Sequence, residues 1–118
     1  MKCLLCIAIA GFTTLLPVFA FATDYAPINC TKAASAAQRA VCHSYALGQA
    51  EARMATLYGI AMALVAMGQR GDIGDAQKQW LKTREACGAN VACLTKAYGD
   101  RIGQLNKVID DIASRGPY

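Results

Sequence analysis

Apolar side chains recur every three or four residues along most of the chain after residue 44, which is the spacing of one face of an α-helix. The longest stretch runs from about Ser44 to Met67, the next from Asp75 to about Cys87, and the last from Val91 to about Ser114. The first stripe consists of Leu47, Ala50, Met54, Leu57, Tyr58, Ala61 and Val65. No stretch of useful length alternates apolar and polar residues, as a half-buried strand would. The pattern predicts three main helices.

The first part of the chain carries the signal for one further, shorter helix. Residues 23–34 show no period and contain turn-forming residues, so we expect an irregular segment there. Ser35 followed three residues later by Gln38 forms a capping box, the pattern in which each side chain bonds to the other residue's backbone amide. It predicts a short helix that ends near Cys42.

Two glycine-containing stretches predict the breaks between the main helices. Two glycines in residues 69–74 favour a loop after the longest helix, with Asp75 as the N-cap of the next. Gly88 as a helix stop and Asn90 as a new N-cap predict a tight turn before the last helix.

These elements define one small domain. Short loops force consecutive helices to be antiparallel neighbours. The predicted fold is therefore all-α, a small antiparallel bundle of three main helices plus a short N-terminal helix over residues 35–114. Residues 115–118 follow it as a C-terminal tail.

The N-terminus has the pattern of a cleavable signal peptide. A positive start at Lys2 precedes an uncharged run over residues 3–19, and Ala20-Phe21-Ala22 matches the small-x-small cleavage pattern. A retained membrane anchor is the alternative, but Pro17 and this ending favour cleavage after Ala22. No cysteine lies where lipid attachment would need one. We therefore expect residues 1–22 to be removed and the protein to be periplasmic or secreted, without a stable membrane anchor.

Cleavage leaves four of the six cysteines, and an even number in a small exported chain predicts a disulfide framework. The four are Cys30, Cys42, Cys87 and Cys93. Three pairings are possible, and geometry prefers Cys87–Cys93 because these residues flank a very short helix–helix turn. Cys30 and Cys42 then pair by elimination. Their spacings differ from those of zinc sites, so no metal is expected.

Composition and charge exclude several function classes. The 118-residue chain has a formal charge of +4, which falls to +3 when Lys2 leaves with the leader. The basic residues are scattered, whereas nucleic-acid binding needs a clustered stripe of them. His43 is the only histidine, and no nucleophile–base set stands out. We therefore expect no catalytic residues, no cofactor and no nucleic-acid partner.

Each main helix carries one charged residue within its apolar stripe, namely Glu51, Arg84 and Arg101 in chain order. An unpaired buried charge is costly, so we expect Glu51 to accept hydrogen bonds from Arg84, Arg101 or both, as a structural charge cluster. The alternative is that all three lie at the margins of the stripes with their charged ends in water.

One run of residues resembles a known family. The sequence Gln77-x-x-Trp80-Leu81-x-x-Arg84-x-x-Cys87, followed by Cys93-Leu94-x3-Tyr98-x2-Arg101-Ile102-x2-Leu105, is similar to the lysozyme inhibitor LprI-like N-terminal domain family. The front half agrees with the family in spacing, at Cys30, Ala33, Arg39-Ala40-Val41-Cys42, Leu47, Glu51, Met54 and Leu57-Tyr58. Mild departures occur at Gln38, Tyr45, Glu51 and Met54, where the family often has other residues. The resemblance covers roughly residues 29–105, and Gln77, Trp80, Leu81 and Tyr98 are its motif residues outside the cysteines and charges.

The resemblance implies an exported, non-enzymatic protein-binding domain that inhibits lysozyme or another peptidoglycan hydrolase. The alternative is an envelope accessory or interaction module with no lysozyme inhibition. Animal lysozymes are cationic, and a chain of charge +3 would suit a partner with an acidic surface better. Because loops on rigid scaffolds often carry binding, residues 69–74 are the expected contact point.

Overall fold

The computed structural model describes residues 25–116, and the leader predicted over residues 1–22 lies outside them. A 3₁₀ turn at Cys30–Lys32 is followed by four α-helices and no strand within the described range. The helices are α1 (Ala36–His43), α2 (Tyr45–Leu64), α3 (Met67–Ala86) and α4 (Val91–Ser114). The all-α class is confirmed.

The predicted capping box begins α1. The Ser35 hydroxyl accepts from the Gln38 amide at 3.0 Å, and the Gln38 side-chain oxygen accepts from the Ser35 amide at 3.4 Å. Ser44 alone separates α1 from α2, and its hydroxyl accepts from the Leu47 amide at 3.3 Å. A serine at each start satisfies amides that lack a partner within the helix, which explains two helices so close together in sequence.

The prediction of a loop over residues 69–74 is wrong. The chain turns earlier, at Val65 and Ala66, and α3 continues without a break through both glycines of that stretch. Asp75 is not an N-cap, because it lies inside α3 and its carboxylate accepts from Lys78 Nζ at 3.0 Å.

The reason for this difference is tertiary. Ile73 lies in the middle of the predicted loop, but it is buried in the core on the same helical face as Gln77, Trp80 and Arg84. Each glycine costs a helix about 1 kcal/mol relative to alanine, whereas burying an isoleucine side chain contributes about 1.5–3 kcal/mol. The early turn is stabilised by Val65, which is also buried and has an extended backbone.

The order of contacts fixes the relative direction of α2 and α3. Glu51 of α2 meets Arg84 of α3 and Tyr98 of α4, and one turn further along α2 Met54 meets Gln77 of α3. Moving along α2 therefore means moving backwards along α3, so these consecutive helices are antiparallel. The most extensive packing is that of α2 on α4, while α3 rests on α4 and α1.

The core lies between these helices. Its most fully buried side chains are Leu47, Met54, Tyr58, Leu94, Tyr98 and Leu105. None of the helices in the described part of the chain is long and apolar enough to cross a membrane.

Both expected disulfides are present. Cys30–Cys42 ties the 3₁₀ turn to α1 with a Cα–Cα distance of 5.6 Å, and Cys87–Cys93 joins the end of α3 to the first turn of α4 at 5.5 Å. Gly88 closes that turn with φ +53°, a left-handed conformation in which glycine has no Cβ to clash. By loop entropy the first bridge stabilises the fold by about 3 kcal/mol and the second by about 2 kcal/mol.

The helical state of the glycine-rich stretch gives a direct test. A Cβ added at Gly71 would meet no atom within 4 Å. We therefore expect Gly71→Ala to raise the free energy of unfolding by about 0.5–1 kcal/mol in urea titrations, because alanine favours a helix. Gly88→Ala is the matched control and should destabilise by about 1 kcal/mol, since its positive φ disfavours a side chain. A destabilising effect at Gly71 would contradict the continuous helix.

Candidate functional site

The centre of the bundle is organised around the carboxylate of Glu51, which is 5% exposed. Its Oε1 accepts from the Tyr25 hydroxyl and from the Ile28 amide, the latter at 3.1 Å. Its Oε2 accepts from the Tyr98 hydroxyl at 2.6 Å. One side chain of α2 therefore holds both the N-terminal segment and α4.

Arg84 supplies the positive charge next to this carboxylate. Its Nη1 lies 3.7 Å from Glu51 Oε2, which is an ion pair without a direct hydrogen bond, and donates to the Tyr25 hydroxyl at 3.1 Å. Nε and Nη2 donate to Glu85 Oε1 at 3.2 and 2.8 Å. The guanidinium also lies 5.4 Å from the centre of the Trp80 ring. Arg84 thus has anionic or aromatic partners on several sides.

Arg101 is not a partner of Glu51. It lies one turn beyond Tyr98 on α4, where Nε donates to Gln77 Oε1 at 2.8 Å and Nη2 donates to the Ile73 carbonyl at 3.2 Å. Three residues of helix advance about 4.5 Å, which places Arg101 in the next layer of the core. The structure brings together Glu51 and Arg84 of the expected cluster and gives Arg101 a neutral amide instead.

The motif residues serve the same scaffold. Gln77 joins two layers, since its Nε2 also donates to Met54 Sδ at 3.3 Å. Trp80 donates from Nε1 to the Ala97 carbonyl at 2.9 Å, and its ring meets that of Tyr98 edge-to-face at 5.1 Å. Leu81 is partly buried against the core. These residues align α3 with α4.

Burial and hydrogen bonding fix the protonation of this network. Burial, together with donation to Glu51, raises the pKa of Tyr25 and of Tyr98. Burial opposes the charge of Arg84, but its bond to Glu85 and its interactions with Tyr98 and Tyr25 together outweigh this and raise the pKa of Arg84. Burial also lowers the pKa of Arg101. At neutral pH the phenols therefore stay protonated and Arg84 stays charged.

Sequence reasoning missed Tyr25 and Ile28 as parts of this cluster. Both lie in the segment predicted to be irregular, and residues 25–29 indeed have no regular structure. The available signal was that two large apolar side chains occur three residues apart among small and polar ones.

An open groove of about 560 Å³ lies beside the cluster, between the N-terminal segment, α1 and α2. Tyr25 and Ile28 form one wall, Val41 belongs to α1, and Tyr45 and Ala52 belong to α2. Among the described residues there is no group of three or more His, Cys, Asp or Glu that could hold a metal ion.

The ion pair at the centre can be tested by a double-mutant cycle. Glu51→Leu removes the buried carboxylate beside Arg84 and leaves two phenols without this acceptor, so we expect a loss of about 3–5 kcal/mol in the free energy of unfolding. Glu51→Leu combined with Arg84→Leu should be less destabilised than Glu51→Leu alone. The control pairs Glu51→Leu with Lys107→Leu at an exposed site, where effects should add within about 0.5 kcal/mol. Additive effects at Glu51 and Arg84 would rule out the coupling.

The raised pKa values of Tyr25 and Tyr98 predict that the free energy of unfolding depends on pH in the alkaline range. Unfolded tyrosine releases its proton near pH 10, whereas folded Tyr25 and Tyr98 retain theirs to higher pH. Above about pH 10 the folded state therefore binds more protons, and we expect stability to fall by about 1.4 kcal/mol per pH unit for each tyrosine. Below about pH 9 neither tyrosine makes the free energy of unfolding depend on pH. Urea titrations of the protein and of Tyr25→Phe/Tyr98→Phe measure this, and an equal alkaline slope in both would contradict it.

Comparison with known proteins places these residues in a family. A family model described as Lysozyme inhibitor LprI matches residues 30–108, which contain both disulfides and the Glu51–Arg84 pair. The chain is 32% identical over 93 residues to proteins named Lipoprotein LprI from Mycobacterium bovis and Mycobacterium tuberculosis. This match covers 76% of the chain but 45% of each relative, so the chain spans less than half the length of the curated relatives it matches. No solved structure is significantly similar to it. The chain belongs to the Lysozyme inhibitor LprI family.

Proposed function

We propose that this chain is an exported, non-enzymatic protein-binding domain that inhibits lysozyme or another peptidoglycan hydrolase. The family match supports the class of function, because it covers both disulfides and most of the helical bundle.

The single observation that carries the non-enzymatic part is the way the buried polar groups are used. Among the described residues no buried side-chain nitrogen or oxygen lacks a hydrogen-bond partner. Glu51 and Tyr98 are 5% and 1% exposed, and their polar atoms face one another. A catalytic acid, base or nucleophile must reach its substrate, whereas these groups hold the scaffold together.

Export is supported by the two disulfides and by the sequence of the leader. Disulfides form and persist in oxidising compartments such as the periplasm. The relatives carry the name lipoprotein, which fits an envelope location for the family. A rigid, disulfide-bonded scaffold in that location suits binding to an envelope or secreted protein.

One observation favours a second candidate, an envelope accessory module without lysozyme inhibition. Every exposed charged side chain from residue 25 to residue 71 is positive. Cationic lysozymes would be repelled by these side chains, which slows encounter and costs affinity. An acidic partner is electrostatically better matched.

A turbidity assay tests the proposal. We expect the folded protein to slow the lysis of bacterial walls by a peptidoglycan hydrolase, with stronger protection against a hydrolase of acidic surface than against cationic lysozyme. Protection should weaken as salt rises, because charge steering is screened. The protein unfolded by removal of all four cysteines is the control. Absence of protection at about a hundredfold molar excess of folded protein, against both enzymes, would overturn inhibition and favour the accessory module.

A further inference from the structure

We propose that the groove between the N-terminal segment, α1 and α2 is the surface that contacts the protein partner. We further propose that it receives an apolar or aromatic segment of that partner flanked by carboxylate side chains. This inference rests on the proposed protein-binding function and names the surface and the chemistry that would perform it.

The groove has the size and lining of a binding site. Its volume of about 560 Å³ lies within the range of roughly 300–1,000 Å³ that is usual for ligand pockets. Gly48, Ala52 and Ala55 lie along one face of α2 at helical spacing, so a partner can approach that helix closely. Tyr45, at the start of α2, also lines the groove and is 85% exposed. Exposed tyrosines of this kind are common anchors at protein interfaces.

The groove contains little charge. Among the described residues, Glu51 is the only charged one that lines it. Its two oxygens accept hydrogen bonds from Tyr25, Ile28 and Tyr98, and the Arg84 guanidinium lies 3.7 Å from Oε2. An apolar side chain entering the groove therefore meets a carboxylate that is buried and already hydrogen-bonded, which favours an uncharged centre for the occupant.

The elements that line the groove carry only basic residues among their exposed charged side chains. These residues are Lys32 of the 3₁₀ turn, Arg39 of α1 and Arg53 of α2. Arg53 follows Ala52 and lies one helical turn from two further lining residues, Gln49 and Thr56. All exposed acidic side chains of the described range lie instead in α3 and α4, where basic ones accompany them. An apolar centre with a basic rim is complementary to a segment with acidic flanks.

The binding experiment uses two peptide pools with the same mixture of Leu, Phe, Tyr and Trp at three central positions. One pool has Asp and Glu on both sides, and the other has Lys and Arg. We expect the acidic pool, at up to about 5 mM, to shift the backbone amide NMR signals of Gly48, Ala52 and Ala55 in the disulfide-bonded protein. The basic pool should leave these signals unchanged, and added salt should weaken the binding of the acidic pool.

Two pairs of variants separate the groove from general charge. Ala52→Glu places a carboxylate in the groove and should abolish the shifts, whereas Ala76→Glu, at an exposed position of α3 outside the groove, should retain them. Arg53→Glu should weaken binding about fivefold, and Lys107→Glu, which changes the net charge equally on α4, should have little effect. Retention of the fold is checked by circular dichroism for each variant.

Three outcomes would overturn the inference. The first is that neither pool binds, and the second is that both pools bind equally. The third is that the protein does not respond to the acidic pool but binds anionic phosphatidylglycerol vesicles, and that Arg53→Glu abolishes this vesicle binding. The hydrolase assay with Ala52→Glu distinguishes the two proposals. If that variant inhibits as strongly as the unchanged protein, the groove is not the contact surface, although the protein is still an inhibitor. Peptide binding to the groove without any inhibition supports the groove and overturns inhibition.

Discussion

The structure depends on the need to satisfy one buried carboxylate. Glu51 lies in the inner face of the longest apolar stripe, where an uncompensated charge would be expensive. Two phenols, one backbone amide and one guanidinium surround it, and they come from three separate parts of the chain. The irregular N-terminal segment, α3 and α4 therefore all contact α2 through this one side chain.

The two disulfides stabilise different parts of this arrangement. A chain of this length buries a limited share of its surface, so its margin of stability is small. Cys30–Cys42 restrains the approach of the segment that brings Tyr25 and Ile28 to the carboxylate. Cys87–Cys93 fixes the corner between the two helices that carry Arg84 and Tyr98. The cross-links limit the conformations of the unfolded chain, whereas the Glu51 network joins the folded elements directly.

The residues that mark the family are largely the residues that build this scaffold. Gln77, Trp80, Arg84 and Tyr98 contact one another or the layers next to them, and each is buried. The groove beside them is lined in large part by small or uncharged side chains of α2 and by the N-terminal segment. Membership of the family therefore establishes the frame, while binding specificity would follow from the residues that line and surround the groove.

By itself the sequence determined the fold class, the capping box at Ser35, the turn at Gly88, the extent of α4 and the preferred cysteine pairing. These are local signals, because hydrophobic spacing, caps and short cysteine separations act within a few turns of helix. Tertiary structure decided that residues 69–74 are helical, since the burial of Ile73 offsets the cost of about 2 kcal/mol that the two glycines impose on a helix. It also decided that Tyr25 reaches Glu51 and that Arg101 does not. Contacts between residues far apart in sequence depend on the directions and layers of packed helices, which local patterns do not encode.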